Sequence, residues 1–505
     1  MAERVWWRDG VIYQVYPRSF ADGNGDGIGD LYGLRERLDH VAWLGVDAIW
    51  LSPIYPSPMA DFGYDVADYT DVDPLFRGME AFDALLDAAH ERGLKILLDW
   101  VPNHTSDRHP WFVESRSSHE SPRRDWYIWR DGTSERPPNN WRAAWGTNPA
   151  WTWDEATGAW YLHLFLPQQP DLNWAEPAVE HAMHDVLRFW LNKGVDGFRA
   201  DVIHLIGKDP ALPDVDPADL SLVAHHDDPR THDLLRGIRS VLDSYPGDRM
   251  MVGEVNLVDS ARVATYLGQA DELNLAFDFT PMRVPWEAEA WRARLAAVAE
   301  QYGGEHAWAT WVLSNHDASR HRTRLGGSEE RARAAAVLLL TVRGTPFLYA
   351  GEELGLEDAV VPPDRAVDPA GRDPGRAPLP WDQAEGLGWG PNPWLPFPPE
   401  AERRTPGALR AQPDSILHLY RRALVVRRGL AALREGTLML HEAPEGVLAY
   451  ERSAGGDSYL VMINFSQDEA RFDHGGEIAL ATHVDREGWA FDGLLRPDEA
   501  VVLRR

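Results

Sequence analysis

Four short polar runs carry residue types suited to acid–base and nucleophilic chemistry. They are Asp99-Trp-Val-Pro-Asn-His104, Gly197-Phe-Arg-Ala-Asp201, Gly253-Glu254 and Ser314-Asn-His-Asp317. Each closes a β-branched or aromatic run, so each puts its polar groups where a strand would end. Arg199 and Asp201 are two residues apart and would share one face of a strand, with Phe198 and Ala200 on the other. A carboxylate beside a guanidinium is expected to stay ionised, the state a nucleophile needs. One such acid is more often a salt-bridge partner or a helix cap. Four acids and two histidines at four strand ends point to a site. The chain has no Cys, which excludes thiolate nucleophiles, disulfides and Cys-ligated metals, and no histidine spacing resembles a zinc site.

The elements that must position these groups follow from the hydrophobic pattern. Strand-like runs recur at Val11–Tyr16, Val46–Leu51, Leu94–Trp100, Val195–Val202, Met250–Glu254, Leu273–Phe277, Ala309–Ser314 and Pro346–Tyr349. Several are nearly continuously apolar, as strands buried on both faces must be. Between them Leu34–Leu44, Met79–Arg92 and Val179–Asn192 space apolar residues by three and four, the helical period. Eight strands alternating with helices predict an α/β fold, a (β/α)8 TIM barrel, with an open doubly wound sheet as the alternative. The active face of such a barrel is the C-terminal one.

Two stretches depart from the barrel pattern. The Trp-, Pro- and Asn-rich segment 104–172 is too long for a βα loop and predicts a small inserted domain, with a hairpin at Trp151–Phe165 turning near Gly158. After about Gly429, strand-length runs at Val447–Glu451, Ser458–Asn464, Glu477–Ala481 and Ala500–Arg504 predict a C-terminal antiparallel β domain. The expected division is 1–103 and 173–430 for the barrel, 104–172 for the insertion and 431–505 for the β domain. Val361–Pro399 reads as long loops.

Composition narrows the partners. With 50 Lys+Arg against 79 Asp+Glu the net charge is −29, which disfavours nucleic acid or an anionic membrane. The first residues lack the apolar run of a signal peptide, and Ala334–Val342 is too short to span a bilayer. A cytoplasmic protein, a monomer or weak homo-oligomer, is expected. The 23 Trp and 15 Tyr supply flat rings of the kind on which sugar faces stack.

The four polar runs, in this order, resemble the four sequence motifs of the α-amylase superfamily, glycoside hydrolase family 13. Gln169-Pro-Asp-Leu-Asn173 further resembles the oligo-1,6-glucosidase and α-glucosidase branch. The resemblance runs across almost the whole chain. It implies that Asp201 is the nucleophile, Glu254 the general acid/base, and Asp317 a group that binds sugar hydroxyls and stabilises the distorted transition state. It makes His104 and His316 hydrogen-bonding partners of the reacting glucose. By the same resemblance Asp61 grips the terminal glucose, Tyr64 stacks on it, Phe165 lines that subsite, and Arg376 pairs with Asp61 to close the pocket and force exo attack on small oligosaccharides. Val202, expected to point away from Asp201 along the strand but to sit at the margin of the pocket floor, resembles the position where Val accompanies α-1,6 linkages. The branch's sucrose isomerases carry an Arg-Leu-Asp-Arg-Asp stretch where this chain has Phe277-Asp-Phe-Thr-Pro-Met-Arg283, which disfavours that product. Transfer of glucose to a sugar acceptor stays open, because water and sugar compete for one intermediate. A non-catalytic binding relative would usually lack one of the three acids, all present here.

The loop Asp22-Gly-Asn24-Gly-Asp26-Gly-Ile28-Gly-Asp30 places oxygen donors at alternate positions, with Gly27 where an EF-hand loop turns sharply. The twelfth position is Gly33 instead of a bidentate Glu, so the expectation is one EF-like loop. It would hold a structural Ca2+, with Mg2+ as the alternative, through Asp22, Asn24, Asp26, the Ile28 carbonyl and Asp30.

Overall fold

The computed structural model describes residues 4–144, 148–216, 218, 226–257, 259–304 and 307–505. The eight expected runs become the strands of one parallel sheet. They are β1 Ile12–Val15, β2 Ala48–Leu51, β3 Lys95–Trp100, β4 Gly197–Ala200, β5 Met250–Glu254, β6 Leu275–Phe277, β7 Thr310–Val312 and β8 Thr345–Tyr349. The ladders run β7-β8-β1-β2-β3-β4-β5-β6. At the remaining seam Thr310 Oγ1 donates to the Ala276 carbonyl at 2.8 Å, so the sheet curls into a nearly closed TIM barrel instead of an open sheet.

The two-residue period sorts each strand into an inner and an outer face. Ile12, Trp50, Leu97, Val252, Leu275, Val312 and Phe347 fill the barrel interior. Tyr13, Ile49, Leu98, Phe198, Ala276 and Leu348 lie in the second buried cluster, with the helices. One inward step further along, the same parity reaches Gln14, Asp99, Arg199 and Glu254, and the register sets Asp99 opposite Arg199. An apolar floor thus carries a polar roof.

Helices Gly78–Glu91 and Pro177–Lys193 form as the spacing predicts. Leu34–Leu44 does not form one helix. It is two, Leu31–Glu36 and Leu38–Leu44, broken at Arg37. The first is anchored to the preceding loop by Asp30, which accepts from Gly33 N at 2.7 Å.

Within the insertion, Trp129–Asp131, Ala159–Leu162 and Trp151–Asp154 pair as a three-stranded antiparallel sheet. Its hairpin passes Gly158 at φ +63°, where a side chain would be strained. This sheet's apolar face, with Trp141, Trp151 and Leu164, packs with Val202, Leu205 and Leu212 just beyond β4. The insertion therefore leans on the turn that follows Asp201.

The C-terminal sheet is antiparallel, in the order Thr437–His441, Val447–Ala454, Asp457–Asn464, Ala500–Arg504, Glu477–Ala481. Its first strand lies outside the expected set because it lacks a buried apolar run, with Thr437 and Met439 facing solvent. The apolar run Ala334–Val342 falls largely in helix Glu329–Thr341, which is buried from Ala332 to Thr341 between barrel and sheet. Thr341 Oγ1 lies 2.6 Å from the Tyr450 hydroxyl of that sheet. Among the described residues no helix is long and apolar enough to cross a membrane.

Candidate active site

Arg199 is the hub of the polar roof. Its Nη1 donates to Asp99 Oδ1 and to Asp201 Oδ1, each at 2.7 Å, and its Nη2 donates to Glu254 Oε2. The guanidinium, nearly without solvent contact, lies 5.2 Å from the Trp50 ring centroid and 5.7 Å from that of Tyr64. Three carboxylates share one cation, and this alters the simple expectation for Asp201. Burial pushes its carboxyl well above the usual range, Arg199 opposes that, and the charges of Glu254 and Asp99 add to it. Asp99, fully enclosed, is pushed up to about 6 by burial against the pull of Arg199. Burial and mutual repulsion thus raise Asp201 and Asp99 against the pull of their one shared cation.

Gly253 seats the acid. A Cβ there would come within 2.4 Å of Leu273 Cδ1 and 2.8 Å of Ile203 Cγ2, so any larger residue would require those two side chains to shift.

A second network closes one end of the pocket. Gln14 Nε2 donates to His316 Nδ1 at 2.7 Å, which leaves the proton of the neutral ring on Nε2. That Nε2 lies 2.6 Å from the Tyr64 hydroxyl and 3.2 Å from Asp317 Oδ2, and Tyr64 in turn donates to Asp99 Oδ2 at 3.1 Å. Burial lowers His316 to about 3 and His104 to about 4, so both rings are neutral near pH 7. His104 Nε2 is 3.2 Å from the Tyr64 carbonyl, and its ring centroid is 5.2 Å from that of Phe165. Burial works against charge on Asp317, but His316, Arg372, Arg376 and Arg199 together hold it well below the usual carboxylate range.

The partner of Asp61 is Arg372, a correction to the expected Arg376. Arg372 Nη2 reaches Asp61 Oδ1 at 2.6 Å and Asp368 Oδ1 at 2.6 Å, and its Nη1 reaches Asp317 Oδ1 at 3.0 Å. Arg376 instead holds Asp317 Oδ1 at 2.9 Å and the His316 carbonyl at 2.7 Å. The loop's short 3-10 turn, Asp373–Arg376, sends Arg376 inward behind His316 and leaves Arg372 facing the mouth. Gln169 Nε2 also donates to Asp61 Oδ2 at 3.0 Å. Burial raises Asp61 to about 6 even so, with Arg372 holding it down.

These groups line one cavity of about 440 Å3. Its walls include Asp61, Tyr64, His104, Phe165, Asp201, Val202, Glu254, Asp317 and Arg372. The expected reading of Val202 changes here. β4 ends at Ala200, so strand alternation no longer governs Val202, which has φ +37°, ψ +41° and lines the pocket beside Asp201. A β-branched side chain in this left-handed region costs about 1–3 kcal/mol. Phe62, directly after Asp61, also has positive φ, +47°. Two carboxylates of the site are thus each followed by a sharp, strained reversal of the chain.

In the first loop Asp22 is partly buried, a cost offset by hydrogen bonds from the amides of Gly390, Gly27, Gly25 and Asn24, which hold it below the usual range. Asn24 Nδ2 donates to Asp26 Oδ2 at 2.7 Å, and Asp30 accepts from Arg77 Nε at 3.1 Å. Carboxylate, amide and carbonyl oxygens are the donors a hard divalent cation takes. Among the described residues, however, no group of three acidic or histidine side chains converges as a metal centre. The loop docks on a later one through Trp394 N, which donates to the Gly27 carbonyl at 2.9 Å.

Sequence reasoning placed Asp201, Glu254, Asp317, His104, His316, Asp61, Tyr64, Phe165, Arg199 and Val202 at one site, and the structure brings them together there. It left Asp99, Gln169 and Arg372 without roles, and it missed Gln14, a neutral residue inside an apolar run.

Two carboxylates that share one guanidinium and line a polar pocket at the C-terminal face of a barrel fit a glycoside hydrolase site. The family model for the α-amylase catalytic domain matches residues 14–436, and the chain belongs to that family. Within it the chain is of the α-glucosidase and oligo-1,6-glucosidase type. It is 41% identical to a probable α-glucosidase of Rhizobium meliloti (strain 1021), over 93% of this chain and 91% of that protein. It is 38% identical to an oligo-1,6-glucosidase of Parageobacillus thermoglucosidasius, over 92% and 91%. Among solved structures it is similar to an α-glucosyl transfer enzyme, with TM-score 0.91, 38% identity and coverage of 99% and 100%.

Proposed function

We propose that this protein is an exo-acting, retaining α-glucosidase that releases terminal glucose from short α-glucosides, with α-1,6 linkages preferred. The observation that carries the reading is the one guanidinium shared by Asp201 and Glu254 beside a pocket whose far end is closed by Asp61, Arg372 and Asp317. That both carboxylates bond one guanidinium supports a close pair, as the direct attack of retaining enzymes requires at about 5–5.5 Å. Glu254 donates a proton to the glycosidic oxygen as that bond breaks, and Asp201 forms the bond to C1. Water deprotonated by Glu254 then releases glucose and restores both carboxyls. The closed end accepts a single glucose ring, which favours attack at the chain terminus. Isomaltose and maltose digests followed by product analysis test the reading; internal cleavage of longer chains would contradict it.

A second reading, transfer of glucose to another sugar, is favoured by the likeness to the α-glucosyl transfer enzyme. It uses the same covalent intermediate, and a time course on concentrated isomaltose separates the two by stoichiometry: hydrolysis releases two glucose per isomaltose, whereas transfer to a second isomaltose releases one glucose for each trisaccharide formed.

Linkage preference is assigned to Val202. Its branched side chain at the pocket wall crowds the path of a 1,4-linked ring, whereas the exocyclic carbon of a 1,6 link lets that ring swing clear. A methyl-sized difference is worth about 1–3 kcal/mol, so kcat/KM for isomaltose should exceed that for maltose by about 10- to 200-fold. Val202→Ala should shrink the ratio. A wild type that prefers maltose, or a ratio indifferent to the substitution, would remove Val202 as selector.

We also propose that the Asp22–Asp30 loop binds Ca2+ through Asp22, Asn24, Asp26, the Ile28 carbonyl and Asp30, fastening the first loop to the 390–394 segment. Ligand at a hundred times its Kd stabilises by about 2.7 kcal/mol, about 2–3 °C in melting temperature for a chain of this length. EDTA should lower the melting temperature by that amount while leaving initial turnover intact, and Asp22→Ala with Asp26→Ala should mimic it. Immediate loss of turnover with an unmoved melting curve would refute a structural ion.

A further inference from the structure

The strained turn after β4 does something that its packing alone does not require. Val202, at φ +37°, turns the chain out of the strand into the short 3-10 turn Ile203–Leu205, and Leu205 N closes that turn on the Val202 carbonyl at 2.9 Å. In this conformation the Val202 N–H reaches Glu254 Oε2 at 3.3 Å, beside the Arg199 Nη2 that donates to the same oxygen. Among the described residues no protein group hydrogen-bonds Glu254 Oε1, and Glu254 lines the pocket. A residue poorly suited to left-handed backbone is thus kept where its amide meets the acid/base carboxylate, and such strain persists only where the surroundings enforce it. Here they are the buried side chains of Leu164, Leu205 and Leu212 around Val202.

We infer that the backbone amide of Val202 is a positioning group for general acid catalysis: it helps occupy Glu254 Oε2, so that the transferable proton sits on Oε1, facing the glycosidic oxygen. An oxygen that already accepts two hydrogen bonds is the carbonyl-like oxygen of a neutral carboxyl. The proton then leaves Oε1 for the leaving oxygen as the C1–O bond breaks and the Asp201 carboxylate bonds to C1. The inference rests on the proposed roles of Asp201 and Glu254 and adds the group that orients one of them.

The test deletes only the donor. Replacing Val202 by its α-hydroxy acid, by nonsense suppression, turns the amide into an ester and keeps the side chain. Isomaltose needs a proton on its leaving group; p-nitrophenyl α-glucoside does not. The ester protein should lose at least about tenfold in kcat on isomaltose, part of the roughly 10²–10⁴ that a positioned acid contributes, and under about threefold on the aryl glucoside. Unchanged isomaltose turnover, or equal losses on both substrates, overturns the inference. Val202→Gly should melt above Val202→Ala, because Gly enters this conformation without strain; the reverse order would show that no strain is held there. Wild-type turnover of the aryl glucoside that Asp201→Asn abolishes tests the underlying reading separately, so the two failures are distinguishable.

Discussion

Asp201→Asn is expected to lower kcat by at least about a thousandfold on every α-glucoside, with folding and melting temperature nearly kept, because an amide cannot form the covalent intermediate. The isostere can still accept from Arg199 through its oxygen, so the cluster need not collapse. Glu254→Gln should lose as much on isomaltose, where the leaving group must be protonated, and less in the first step on p-nitrophenyl α-glucoside, where it need not. Azide should partly rescue Glu254→Ala on the aryl substrate, since an anion that needs no deprotonation can attack the glucosyl enzyme, and the product should be a glucosyl azide. NMR of freshly released glucose decides the stereochemistry. Retention gives the α anomer first; inversion would sink the two-step mechanism with Asp201 as nucleophile.

How far the sequence reveals this site depends on what each residue's position is governed by. The barrel was readable because its strands are apolar runs with a fixed period, and the same period carries Asp99, Arg199 and Glu254 inward one step above Leu97, Gly197 and Val252. The inserted hairpin was readable for a related reason, strand-length aromatic runs on either side of Gly158. Arg372 and Arg376 were not separable in the same way. They lie four apart in a Gly- and Pro-rich loop without a period, and a short 3-10 turn decides which reaches Asp61. Gln14 is neutral and sits among apolar neighbours, so nothing in its setting announces a hydrogen bond to His316. Val202 is the harder case, since a β-branched residue argues for extended backbone, and the structure places it in the conformation that such residues avoid. The break in Leu34–Leu44 was hidden because the apolar spacing runs on across Arg37.

Arg372 should prove as critical to substrate capture as the catalytic acids are to turnover. It pairs with Asp61, Asp317 and Asp368 at once, so Arg372→Ala strips a buried carboxylate of its paired cation and leaves Asp61 its hydrogen bond from the Gln169 amide. Loss of one partner of a buried pair costs about 3–5 kcal/mol, and here that cost falls on the groups that hold the terminal glucose. A hundredfold or greater fall in kcat/KM is therefore expected, about 3 kcal/mol or more, carried mainly by KM. Lys at this position should recover little, because a single ammonium cannot present the planar fork that meets two carboxylates from one guanidinium. The pH dependence sharpens the test. Asp61 lies at about 6, raised by burial and held down chiefly by Arg372. In the wild type kcat/KM should fall as the pH drops through that region and Asp61 gains a proton. Without Arg372 the chief opposing influence is gone and only the weaker pull of Arg376 and Gln169 stays, so this acid limb should move to higher pH. Asp61→Asn in the Arg372→Ala background should then cost far less than it does alone, since the pair is already broken and Asn removes only an unpaired buried charge. A limb that stays in place, or losses that simply add, would mean that Arg372 acts on the pocket by some route other than Asp61.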